Sequence, residues 1–136
     1  MHSINTIIIK ETELRNKKIT DILSDAKSKK IKSVNLGHGM IAFPTLSKGK
    51  VSEFFGPDIT FVEINTDYFG GVGDQSAGLY KSRDKGFDKI KYLSSEFDWS
   101  IRPINEILKE YGLVKNPTMD EFDTINLGRY RTNKDF

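Results

Sequence analysis

The chain has 136 residues (15.5 kDa), 37% hydrophobic and 29% charged, the balance of one globular domain, 1–136, large enough to bury its own core. Nine Phe, five Tyr and one Trp argue against disorder, and no apolar run approaches the roughly 20 residues that span a bilayer. Zero cysteines excludes a disulfide scaffold, thiolate zinc ligation and a cysteine nucleophile, and Met1-His2-Ser3-Ile4-Asn5 lacks the pattern of a secretory signal, so a cytoplasmic protein is expected.

Thr6-Ile7-Ile8-Ile9 is β-branched throughout and predicts an early buried strand. Over 16–30 the period changes: Ile19, Ile22, Leu23 and Ala26 fall at i, i+3, i+4 and i+7, one face of an amphipathic helix. Strand material follows over 34–43, interrupted by Gly37-His38-Gly39 and ended by Pro44. Ser47-Lys48-Gly49-Lys50 and Gly56-Pro57-Asp58 predict turns, the second opening a strand over 59–65. A three-glycine turn, Gly70-Gly71-Val72-Gly73, leads to a strand at Ala77-Gly78-Leu79-Tyr80 that pairs antiparallel with 59–65. A turn at 82–86 precedes a strand or irregular edge over 87–93, and Trp99 reads as a core residue ahead of the next helix, with an interface anchor as the alternative.

Ile101, Ile104, Ile107, Leu108 and Tyr111 mark that second helix, with Pro103 in its first turn and Gly112 at its C-terminal cap. Thr118 and Glu121 form a capping-box pattern that opens a short helical turn stopping near Gly128. The tail 129–136 is polar and expected to fray. The order strand, helix, strands, helix, short helix predicts an α+β domain: an antiparallel or mixed sheet with two main helices packed on one face.

Charge is unevenly placed. Residues 1–50 hold ten Lys/Arg against four acids, a balance of +6, and 51–136 hold eleven against fifteen, a balance of −4, consistent with the net +2. Lys27, Lys29, Lys30 and Lys32 fit a solvated helix end rather than a nucleic-acid site, because no aromatic is interleaved to stack on bases. Between Lys50 and Lys81 there is no Lys or Arg, while Glu53, Asp58, Glu63, Asp67 and Asp74 all lie there.

The chemistry-bearing motifs are few. His38 is the one internal histidine and has no sequence-evident carboxylate partner; it fits a turn residue at an unusual φ, with a small hydrolase or nuclease as the alternative. No cluster has metal-ligand spacing. The glycine turn lacks the Gly-Lys-Ser/Thr ending of a phosphate loop and the G-x-G-x-x-G spacing, and Asp67 and Asp74 would repel a phosphate; Ser76 has no G-x-S-x-G context. What remains is an acidic, aromatic, glycine-kinked loop. Asp67, Tyr68, Phe69, Asp74 and Gln75 are the candidate partner-binding residues, with a hairpin whose Tyr68 and Phe69 are core residues as the alternative. No catalytic residue, metal or cofactor is expected.

Thr66-Asp67-Tyr68-Phe69-Gly70-Gly71-Val72-Gly73-Asp74-Gln75-Ser76-Ala77, then Ile104-Asn105-Glu106-Ile107-Leu108, then Asp120-Glu121-Phe122-Asp123-Thr124-Ile125-Asn126-Leu127-Gly128-Arg129-Tyr130-Arg131, resemble a group of small bacterial proteins of polymorphic-toxin systems. These are immunity proteins of the contact-dependent growth inhibition type, and the resemblance covers 59–131. It implies a non-enzymatic cytoplasmic inhibitor that binds a cognate toxin domain, and it carries no fixed set of toxin-contact residues. Such toxins often act on RNA or DNA and tend to be basic. The base-free window would supply the complementary field.

Overall fold

The computed structural model describes residues 3–14, 24, 26–69, 72–96, 100–125, 127–130 and 132–136, without the side chains of Tyr68, Phe69, Val72 and Lys134. Six strands form one sheet: β1 (Asn5–Lys10), β2 (Val34–Gly37), β3 (Met40–Phe43), β4 (Thr60–Phe69), β5 (Val72–Ser82) and β6 (Phe87–Ser94). Their order is β2-β3-β1-β4-β5-β6, every neighbouring pair is antiparallel, and the fold is α+β. Among the described residues the α-helices α1 (Val51–Phe55), α2 (Pro103–Glu110) and α3 (Glu121–Thr124) accompany the sheet, with short 3₁₀ turns between.

Side chains alternate across a strand, so a strand buried on both faces must be apolar without interruption. This is why β1 reads Ile7-Ile8-Ile9, all three fully buried. On one face Ile8, Met40, Ala42, Val62, Ile64, Ala77 and Leu79 pack under Ile104, Ile107 and Leu108 of α2, joined by Tyr111, Ile125 and Leu127. On the other face Ile7, Ile9, Ile41, Phe43, Phe61 and Tyr80 pack under Leu14, Ala26, Ile31, Leu46 and Val51. The expected pair of helices on one face gives way to cover on both. Ser24 and 26–28 are helical, and Ala26 packs opposite the α2 side. Most of the expected helix over 16–30, including Ile19, Ile22 and Leu23, lies outside the described residues, as does Trp99.

Two helix ends use the same device. After α2, Leu113 N–H reaches Leu108 C=O (3.0 Å) and Gly112 N–H reaches Lys109 C=O (3.0 Å), with Gly112 at φ +99°. This is a Schellman motif, whose αL residue is ordinarily glycine. The segment ending at Lys30 repeats it: Ile31 N–H bonds Ala26 C=O (2.8 Å), Lys30 N–H bonds Lys27 C=O (3.0 Å), and Lys30 sits at φ +60°. In both motifs the apolar residue past the cap packs into the core. Lys27, Lys29, Lys30 and Lys32 are all exposed around this second cap.

Tyr111 ties α2 to the sheet. Continuing the β1–β4 register past Ile8↔Val62 puts Lys10 opposite Thr60. There the Tyr111 hydroxyl accepts from Lys10 N–H (2.8 Å) and donates to Thr60 C=O (2.5 Å), standing in for a ladder bond. Burial pushes this hydroxyl well above the ordinary tyrosine range.

Two details depart from the sequence reading. Thr118 does not cap α3; Asp120 does, its side chain accepting from Asp123 N–H (2.8 Å), because the carboxylate nearest the first turn reaches its orphan donors. The tail is docked rather than frayed: Thr132 bridges Ser3, Tyr130 stacks on Phe136 with ring centroids 4.3 Å apart, and Asn133 Oδ1 accepts from Asn5 N–H (2.8 Å). Its apolar ends and amide are invisible to a reading that sees only polar composition.

Candidate functional site

β4 and β5 extend further than their apolar stretches suggest. The ladder continues through Asp67↔Asp74, Tyr68↔Gly73 and Phe69↔Val72. Gly73 therefore lies within β5 at φ +158°, essentially extended backbone, while Gly70 and Gly71 lie outside the described residues. β1 pairs with β4 only as far as Asn65, and β6 pairs with β5 only as far as Ser76. Three rungs thus run on as a two-stranded arm, roughly 10 Å long at the usual strand rise.

The base of the arm is clamped on both sides. Thr66 N–H bonds Ile4 C=O (2.9 Å), and Thr66 Oγ1 accepts from Ile4 N–H (3.0 Å). Across the arm, Ser95 N–H bonds Gln75 C=O (2.9 Å), and Ser95 Oγ accepts from Gln75 N–H (2.9 Å). Gln75 also serves α2. Arg102, the residue before that helix, makes no side-chain cap, and Pro103 has no N–H, so Ile104 carries the first orphan donor. Gln75 Oε1 accepts it at 3.0 Å. Among the candidates with described side chains, Asp67, Asp74 and Gln75, it is Gln75 whose side chain is engaged inside the fold. Tyr68 and Phe69 stand on the arm opposite Gly73 and Val72, and their side chains lie outside the description.

Charge sorts the five acids of the base-free window into two groups. Glu53 pairs with Lys50 (3.0 Å), Asp58 with Arg83 (3.5 Å) and Glu63 with Lys48 (3.3 Å). Cations just outside the window fold back onto it, so a uniform acidic field does not exist. Lys48 also lies over the Tyr80 ring at 5.1 Å. Partial burial pulls its ammonium downward, but Glu63 and then Tyr80 outweigh that and leave it raised. Asp67 and Asp74 differ: both are exposed, they oppose each other directly, and neither joins an ion pair among the described residues. Like charges directly opposite across strands are destabilising.

Alternation places both carboxylates on the face of Phe61 and Tyr80, beyond the part covered by Leu14, Ala26, Ile31 and Val51. They line a cleft of about 550 Å³ whose floor continues over Asn65, Ser76 and Ser94, with Tyr92 and Glu96 at one side and Asn5 and Asn133 at the other. Asn5 Nδ2 donates to Asn65 Oδ1, fixing the floor amide to amide. The described lining contains three carboxylates and no Lys or Arg. No protein-family model, curated protein or solved structure matches this chain.

Other candidate chemistry lies elsewhere. His38 and Gly39 form the two-residue connection of the β2–β3 hairpin, with φ +54° and +76°. Both values are positive, as a type I′ turn requires. His38 is exposed at the far edge of the sheet from the arm. Among the described residues no three His, Cys, Asp or Glu side chains gather as a metal site, and no helix is long and apolar enough to cross a membrane. Asn5, Asn65, Asn133, Tyr92 and Glu96 went unread in sequence. Alternation along 87–93 is the one signal that aligns Tyr92 with the arm's acidic face; nothing local announces Asn133.

Proposed function

We propose that this chain is a single-domain, non-enzymatic immunity protein that binds and neutralises a cognate toxin domain, a basic nuclease, by direct contact in the cytoplasm. The observation that carries the reading is the Asp67–Asp74 pair. The other acids of the window have cationic partners within the chain, whereas these two are held face to face on a clamped, exposed arm. Such an arrangement costs the free protein and is relieved when a cation arrives from outside. Tyr68 and Phe69 follow Asp67 on the same arm, residue types that favour protein contacts. The resemblance over 59–131 points the same way.

The test is co-expression with candidate toxin domains, beginning with any that is encoded beside this gene. Protection of the host, co-purification, and slower association of Asp67→Lys and Asp74→Lys at low salt are expected. Protection that survives both substitutions with unchanged association and dissociation rates would remove the arm from the contact. Turnover of RNA, DNA or esters by the purified chain, lost in His38→Ala, would replace the binding reading with an enzymatic one.

A further inference from the structure

Gln75 holds two elements at once, and it does so at the root of the arm. Its backbone bonds to the segment that follows β6: Ser95 N–H reaches Gln75 C=O (2.9 Å), and Ser95 Oγ accepts from Gln75 N–H (2.9 Å). Alternation sends the Gln75 side chain to the face of Ala77 and Leu79, where α2 lies, while Asp74 and Ser76 take the opposite face. There Gln75 Oε1 accepts from Ile104 N–H (3.0 Å). Ser95 and Ile104 stand at the two ends of the connection from β6 to α2, so a single residue closes that connection.

The anchorage is firm on both edges. Ser95 and Ile104 are buried, and an orphan donor on the first turn of a packed helix is costly, which holds the side chain that accepts it in one place. On the other edge Thr66 makes its two bonds to Ile4, and Ile4 belongs to the same buried cluster as Ile104. Both strands of the arm are therefore rooted in the core under α2. A two-stranded ribbon on its own is marginal in water, so without such roots the arm would swing.

Resting on the partner-binding reading above, we propose that Gln75 is a positioning residue. It does not touch the partner; it locks the arm against α2, so that Asp67 and Asp74 meet the partner in one preset orientation. Ordering a loose arm on contact would subtract from the binding free energy, and the lock removes that cost in advance. The role needs an acceptor at this reach. Glutamate keeps one, and its charge suits a helix N-terminus, whereas alanine has none.

Backbone relaxation and amide exchange, measured by NMR on the full chain, test this without any toxin. In wild type the amides of Asp67, Gly73 and Asp74 should have order parameters like those of the sheet, about 0.85, and Ile104 should be protected. Gln75→Ala should lower the arm values toward about 0.6 and speed Ile104 exchange about tenfold. Gln75→Glu should keep both near wild type, and the amides of β1 and β3 should stay unchanged in either variant. A wild-type arm already near 0.6, a result that needs no variant to fold, would overturn the proposal. So would a Gln75→Ala chain whose Ile104 amide exchanges fast while the arm stays rigid, or a Gln75→Glu arm as loose as that of Gln75→Ala. Against the toxin domain, Gln75→Ala should weaken the Kd about three- to tenfold, with Gln75→Glu no weaker than wild type. The two readings fail separately. An arm that loosens in Gln75→Ala, in a chain that protects no host, overturns only the immunity reading, and a protective chain whose Kd ignores Gln75→Ala overturns only the positioning role.

Discussion

Neutralising either arm aspartate is expected to make the isolated protein more stable while weakening its grip on a cationic partner. Cβ atoms of directly opposed residues lie roughly 5 Å apart, which puts the two carboxylates near 6 Å. In solvent, two unit charges at that distance repel by about 0.7 kcal/mol, within the range of about 0.2–1 kcal/mol typical of cross-strand pairs. Asp67→Asn or Asp74→Asn should therefore raise unfolding free energy by about 0.5 kcal/mol, or roughly 2 °C in melting temperature for a chain of this size. Only one repulsion exists to relieve, so the double variant gains little beyond either single, and the double-mutant cycle returns a coupling close to the full effect. The gain should fade between about 20 mM and about 1 M salt, as the screening length falls to roughly 3 Å. Urea unfolding at both salts measures this. Singles that lose stability at low salt, or a gain of the same size at high salt, would refute the like-charge argument and with it the reason for regarding the pair as poised for a partner.

Tyr111→Phe leaves Lys10 N–H and Thr60 C=O without the hydroxyl that joins them, and should cost about 1–3 kcal/mol in chemical unfolding, whereas a water-filled replacement would show almost no loss. Because Tyr111, Tyr80 and Lys48 are all held above their ordinary values, Tyr111 and Tyr80 chiefly by burial and Lys48 by Glu63 and Tyr80 against its burial, the folded state binds protons more tightly than the unfolded chain. Stability is then fully present below about pH 10 and declines above it, with a shallower decline in Tyr111→Phe, as melts from pH 8 to 11 should record. Lys30→Gly should stabilise by about 0.5–1 kcal/mol, since Gly112 already fills the equivalent αL site after α2 without strain; a destabilised variant would show that the Lys30 side chain has a role of its own. Gly78→Ala should destabilise by about 1–3 kcal/mol, because a Cβ there would stand 2.4 Å from the Tyr80 ring, which Phe61 and Phe87 hold in place. Adding Tyr80→Leu to that variant should recover part of the loss.

The strands at Ile7-Ile8-Ile9 and 59–65 and the α2 helix were legible because burial alone dictates their patterns: unbroken β-branched residues where both faces are covered, and a 3.6 period where one is. The arm was less legible. Its pairing past Asn65 depends on backbone bonds between polar residues, and neither Thr66 nor Gln75 carries a periodic signal for its clamp. Gln75 reads in sequence as a candidate partner-binding residue, because the donor it serves, Ile104 N–H, is 29 positions away. The same limit hid the cations on Glu53, Asp58 and Glu63, since a stretch without bases in sequence can have bases folded over it in space. Asp67 and Asp74 were identified by charge and turn context; their opposition across the ladder needed the register.

The place of β1 in the sheet has a consequence for how the chain acquires its structure. β2–β3 is a local hairpin and β4–β5–β6 a local meander, each able to form from neighbouring segments. β1 is the only strand that joins them, and both of its partners lie at least 30 positions downstream. Until both exist, Ile7, Ile8 and Ile9 have nowhere to bury, so the closing of β1 between β3 and β4 is the slow, long-range event that converts two independent pieces into one cooperative unit. Substitutions such as Ile8→Ala should then slow folding more than equally costly changes within the meander. In the interval before closure, the most adhesive segment of the protein is its first strand.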